Sequence, residues 1–177
     1  AGTSVYMEIY GGKAGDHRSA VDYKLIFPAR ELRKMLLFSV TRDPVARFLS
    51  AFYYLKSGGR NEFDQLTRDS YLCDTESPHD FAIKMLENPE LKRLLHFRDQ
   101  VSFLIVPWRI DFLTDCLWRA EEMVRMEREI SEVLGRNISF KQLNSSSSCD
   151  TFDHGKSKML TLVLEKIYKD DFEAFGY

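Results

Sequence analysis

Hydrophobic and polar positions alternate most informatively between Met35 and Tyr54, MLLFSVTRDPVARFLSAFYY. Met35 to Val40 is an apolar run of strand length, and from Pro44 the apolar residues Val45, Phe48, Leu49, Phe52 and Leu55 take up helical spacing almost all round the axis. Asp43 suits the cap of that helix because its carboxylate can accept from the open amides of the first turn. Pro44 suits the first helical position, where an N–H has no partner anyway. The pattern therefore predicts a strand, a tight turn and a buried helix. Arg47, Ser50 and Tyr54 form its one polar stripe, and Ser57-Gly58-Gly59-Arg60-Asn61 ends it.

The same reading extends along the chain. Small residues, Ala1 to Val5, lead into a helix from Tyr6 to Tyr10; a glycine-rich connection follows from Gly11, and a short helix begins within Ser19–Tyr23. Phe27 to Lys34 is charged and expected to be exposed, and Glu62 to Pro78 reads as a long polar loop. Ser77-Pro78 starts a helix to about Asn88, and Pro89 starts another to about His96. Leu117 to Leu134 has the spacing of a surface helix closed by Gly135, with Met123 and Met126 as core filler. A serine-rich loop covers Ser139 to Gly155. Leu160, Val163, Leu164, Ile167, Tyr168 and Phe172 then predict a C-terminal helix.

Composition changes this picture little. A chain of 177 residues, 44% hydrophobic and 13% aromatic, fits one globular domain, 1–177. The formal net charge of -2 gives no general attraction to nucleic acid or to an anionic membrane, so any basic site is local. No apolar run has the length to span a bilayer. Cys73, Cys116 and Cys149 show no metal-ligand spacing and leave two arrangements open, one disulfide with a thiol or three thiols. Asn137 and Asn144 head Asn-x-Ser triplets that would permit glycosylation in a secretory lumen.

Candidate chemistry gathers at the strand-to-helix junction. In open α/β folds, strand ends and helix N-termini converge on ligands and favour anions. Arg42 stands there with a fork of donors that matches a phosphate, and Ser50 adds a hydroxyl. The order Arg-x-Pro-x-x-Arg-x-x-Ser, here Arg42, Pro44, Arg47 and Ser50, resembles the 3'-phosphate-binding segment of sulfotransferases that use 3'-phosphoadenosine 5'-phosphosulfate (PAPS). The likeness is nearest to the carbohydrate sulfotransferases, and it continues through Ser50-Ala51-Phe52-Tyr53-Tyr54. Gly2, Thr3 and Ser4 look like the end of that family's 5'-phosphosulfate loop, Pro-Lys-x-x-Gly-Thr-Ser/Thr. The lysine of the loop is missing, so the expectation is a fragment beginning inside the loop, or else a chain without its catalytic cation.

Further residues follow from the resemblance. A histidine or glutamate between the two phosphate-binding segments serves such enzymes as a base, which makes His17 the candidate here, ahead of Asp16; the alternative is an ordinary loop histidine. A neutral imidazole is available near pH 7, and a positioned base typically contributes about 10²- to 10⁴-fold in rate. His96 opens a His-x-x-x-Gln-x-x-x-Leu stretch found near the acceptor site, and Arg60 or Arg68 could touch an anionic sugar or simply face solvent. Ile110 to Leu113 looks like the family's second short strand, followed by a glutamate such as Glu121. Asn144 and Ser145 resemble a segment near the nucleotide, and the ending from Tyr168 to Tyr177 resembles the family's C-terminus.

The resemblance implies a P-loop-like α/β sulfotransferase fold with a mostly parallel central sheet flanked by helices. It implies sulfuryl transfer from PAPS to a carbohydrate hydroxyl, no metal, a glycan partner, no nucleic acid, and the Golgi lumen, with any membrane anchor upstream of Ala1. An inactive sulfotransferase-like module serving as a nucleotide-binding or structural subunit is the alternative. A kinase would need a Gly-Lys-Ser/Thr loop that the sequence lacks, and a plain helical interaction domain would not need the strand-turn-helix unit.

Overall fold

A computed structural model of the chain describes residues 2–11, 17–106, 112–140 and 154–177. Helix α1, Gly2–Tyr10, begins earlier than the expected start at Tyr6. Helix α2, Ala20–Ile26, is closed at its start by a reciprocal cap, in which Ser19 Oγ accepts from the Asp22 amide at 3.3 Å and Asp22 Oδ2 accepts from the Ser19 amide at 2.6 Å. Helix α3, Ala29–Leu32, is a single turn in the charged segment, anchored by the buried Leu32. Strand β1 occupies Phe38–Thr41, the later part of the apolar run. Helix α4, Pro44–Lys56, follows as its spacing predicts, with Asp43 Oδ1 accepting from the Ala46 amide at 2.7 Å.

The expected loop from Glu62 is instead largely helical. Helix α5, Glu62–Thr67, runs on into a π-helical turn at Arg68–Leu72. The anchor is tertiary: Leu72 is fully buried, and Lys56 Nζ donates to its carbonyl at 2.8 Å. Helix α6, Pro78–Glu87, carries a Ser77/Asp80 capping box, and a 3₁₀ turn at Pro89–Arg93 ends before His96. Helix α7, Val101–Leu104, is one turn.

Strand β2 is Cys116–Arg119, which corrects both the strand expected at 110–113 and the helix expected from Leu117. Ile110 and Asp111 lie outside the described residues, and Phe112 and Leu113 are not in a strand. A 3₁₀ turn, Ala120–Glu122, leads into helix α8, Met123–Leu134, which stops at Gly135 with φ 62°. Helices α9, His154–Ile167, and α10, Lys169–Phe175, form the C-terminal pair and break at Tyr168.

The chain divides into two compact units. The first is built within 1–42 and 100–145. In it β1 and β2 pair in parallel, Phe38 opposite Cys116 and Thr41 opposite Arg119, so the described sheet is parallel as expected and has two strands. Val5 of α1, Trp118 of β2, and Met126 and Ile130 of α8 close its core with Ile138 and Phe140. Met126, with no exposure, is the core filler its spacing predicts. Glu129 accepts from the Trp118 ring N–H at 2.6 Å, so the one polar atom of that buried indole is satisfied.

The second unit lies within 43–99 and 146–177. Phe48, Phe52 and Leu55 of α4 meet Phe81 and Met85 of α6, Leu160 and Leu164 of α9, and Phe97 in its core. Each such side chain removed from water contributes roughly 1.5–3 kcal/mol relative to exposure. Tyr168 is inside too, its hydroxyl donating to the Phe97 carbonyl at 2.9 Å. Lys92 Nζ reinforces the joint by donating to the Ile167 carbonyl at 2.6 Å and pairing with Asp99 at 2.9 Å. Cys73 and Cys116 are free thiols, and Cys149 lies outside the described residues.

Candidate functional site

β1 ends at Thr41, and the next residue is Arg42. Ladder pairing stops there, yet the Arg42 backbone is held on both of its polar groups. Its N–H donates to Gln100 Oε1 at 2.9 Å, and its carbonyl accepts from Gln100 Nε2 at 2.9 Å. The Arg42 side chain is partly buried, and among the described residues its guanidinium makes no hydrogen bond or ion pair. Planar donors on a fixed backbone, with no internal carboxylate engaging them, suit an external anion of phosphate geometry.

His17 belongs to the same unit and is exposed. It stands just ahead of the Ser19 cap and, with Arg18, Asp22 and Ile26, lines a shallow hollow. Helix α2, which follows His17, packs against α7, which begins directly after Gln100. One run of local contacts thus connects the His17 segment to the clamp on Arg42. Gly2, Thr3 and Ser4 form the first turn of α1, while Asn144 and Ser145 lie outside the described residues.

The second unit holds Ser50, Arg60 and His96. Ser50 is partly buried on α4, on the face shared with Arg47 and Tyr54. The stripe meets polar structure at Tyr54, whose hydroxyl donates to Asp64 Oδ2 at 2.5 Å. The Arg60 amide donates to the same oxygen at 3.0 Å, and His96 Nε2 lies 3.0 Å from Asp64 Oδ1. Arg60 and His96 are thereby brought together on a carboxylate that sequence reasoning left unnamed. Asp64 is only 5% exposed. Burial pushes its pKa up, but the Arg60 amide, the Tyr54 hydroxyl and His96 outweigh that and hold it below the usual carboxylate range. Burial, then the bond to Asp64, pushes the Tyr54 hydroxyl up to about 12, so it remains a donor.

Gly59 makes this arrangement possible. Its φ is 63°, and a Cβ there would fall 2.1 Å from the Cβ of Asp64. The available sequence signal was Asn61 with Asp64 three places on, the spacing of a helix start, and Asn61 Oδ1 does accept from the Asp64 amide at 2.9 Å. Arg68 pairs at 2.8 Å with its neighbour Asp69 on the surface.

Among the described residues no group of three or more His, Cys, Asp or Glu could hold a metal ion, and no helix is long and apolar enough to cross a membrane. A family model described as "Sulfotransferase family" matches residues 12–177. No curated protein and no solved structure matches the chain. The matched span contains Arg42, Ser50, His17, Arg60 and His96; Gly2, Thr3 and Ser4 precede it.

Proposed function

Taking as premise that the chain belongs to the sulfotransferase family, we propose that it transfers a sulfuryl group from PAPS to a hydroxyl of a carbohydrate acceptor. The observation that carries this reading is Arg42: a guanidinium just past the end of β1, backbone clamped by Gln100, with no internal ion pair among the described residues. A 3'-phosphate is what distinguishes PAPS from ordinary adenine nucleotides, and charge-assisted donors of this kind are the ones that select it. Ser50 keeps the supporting role that the Arg-x-Pro-x-x-Arg-x-x-Ser pattern assigns to it.

PAPS supplies an activated sulfuryl group, whose bond to the 5'-phosphate breaks as the acceptor oxygen bonds sulfur. His17 takes the proton of that acceptor hydroxyl, a role that its exposure in a hollow of the first unit supports. The first turn of α1, at Gly2, Thr3 and Ser4, offers open backbone amides to the 5'-phosphate and to the charge that builds on it. Arg60 and His96 are assigned to the acceptor, and the Golgi lumen is the compartment in which glycans with free hydroxyls meet such an enzyme.

Calorimetry tests the nucleotide assignment. 3'-Phosphoadenosine 5'-phosphate should bind about 10- to 100-fold more tightly than AMP, the worth of a charged hydrogen bond, and Arg42→Ala should erase most of the difference. Equal affinities in the unaltered chain would remove the assignment. His17→Ala should lower turnover of PAPS with a glycan panel by at least about 10²-fold while sparing nucleotide binding; undiminished turnover excludes His17 as the base.

A further inference from the structure

The side-chain amide of Gln100 does at Arg42 what a neighbouring strand does inside a sheet. It accepts from the N–H and donates to the C=O of one residue, both at 2.9 Å, across 58 positions of sequence. The place matters, because Arg42 lies between the last residue of β1 and the Asp43 cap of α4. Gln100 itself is placed firmly: its carbonyl accepts from the Phe103 amide at 3.0 Å, and α7 is pinned by the buried Leu104. Only a carboxamide offers a donor and an acceptor in this geometry, since a carboxylate accepts but cannot donate to the Arg42 carbonyl.

We propose that Gln100 is a positioning residue for nucleotide recognition: by fixing both backbone polar groups of Arg42 it sets the direction of the guanidinium, and so sets the preference for a nucleotide bearing a 3'-phosphate. This rests on the reading of Arg42 given above. His96 and Gln100, the two polar ends of one short stretch, then have separate tasks, His96 on Asp64 and Gln100 on Arg42. With the Arg42 backbone fixed before the ligand arrives, the side chain leaves it in one direction and less freedom is lost on binding, a gain that falls on the residue that meets the phosphate.

The test compares 3'-phosphoadenosine 5'-phosphate with AMP by calorimetry in the full chain. Gln100→Ala should reduce the preference for the 3'-phosphorylated nucleotide about tenfold, the worth of a lost pair of neutral hydrogen bonds. AMP affinity should stay unchanged, a pattern that a general loss of structure would not produce. In an Arg42→Ala background the same change should have no further effect on the preference. Amide exchange gives a ligand-free check: the Arg42 N–H should exchange about tenfold faster in Gln100→Ala than in the unaltered chain. If Gln100→Ala fails to fold, Gln100→Glu, which keeps the acceptor and loses the donor, should show the same loss of preference. A folded variant with full preference overturns the positioning role and leaves the reading of Arg42 standing. An unaltered chain with no preference overturns that reading and this proposal together.

Discussion

Asp64 is surrounded by the Tyr54 hydroxyl, the Arg60 amide and the His96 ring, and none of these contacts could be anticipated from its place in a polar stretch. Its depressed pKa fixes the sign of a pH effect. A carboxylate held below its ordinary value of 3.8 stabilises the fold above that value, and the contribution is lost as pH falls through the folded-state pKa. Asp64→Asn should therefore cost about 1–3 kcal/mol near pH 7, and the gap to the unaltered chain should narrow below about pH 4. Urea denaturation at pH 7 and pH 3 measures both; a gap independent of pH would mean that the charge contributes nothing. Arg42, by contrast, is a candidate on local grounds, a guanidinium beside an Asp-Pro helix start, whereas His17 is a candidate only through the resemblance to the sulfotransferase family.

At the scale of elements, α4 is the part of the fold most legible in the chain. Its cap, its proline and its nearly continuous apolar surface all act within a few residues of one another, and the helix begins at Pro44 as they require. Asp43→Ala removes the acceptor for the Ala46 amide and should lower stability by about 1 kcal/mol in thermal or urea unfolding; an unchanged midpoint would show that this cap is dispensable. The stretch after Glu62 carries no such local signal. Its helix is anchored through the buried Leu72 and the Lys56 ammonium from α4, and neither anchor leaves a periodic signal in a polar sequence. The second strand was displaced likewise: β2 forms where Trp118 can be buried beside Phe38 and where Asp115 can accept from the Leu37 amide at 2.8 Å. Apolar composition alone does not select that register.

At the scale of the whole molecule, the described residues form two hydrophobic clusters, one built on β1, β2, α1 and α8, the other on α4, α6 and α9. Residues close in sequence specified the helices with a cap or a dense apolar face: α2, α4, α6, the later part of the Leu117–Leu134 segment, and the C-terminal pair. They also carried the short motifs on which the resemblance to the sulfotransferase family rests, because capping, periodicity and short motifs depend on groups a few positions apart. Tertiary structure alone decided that Gln100 would hold Arg42, that Asp64 would join Tyr54 to His96, and that Cys116–Arg119 would be the partner of β1. Each of these joins residues 10 to 78 positions apart. Such contacts are selected by burial and by the pairing of polar groups once the cores close, and they leave no spacing in the chain from which to read them.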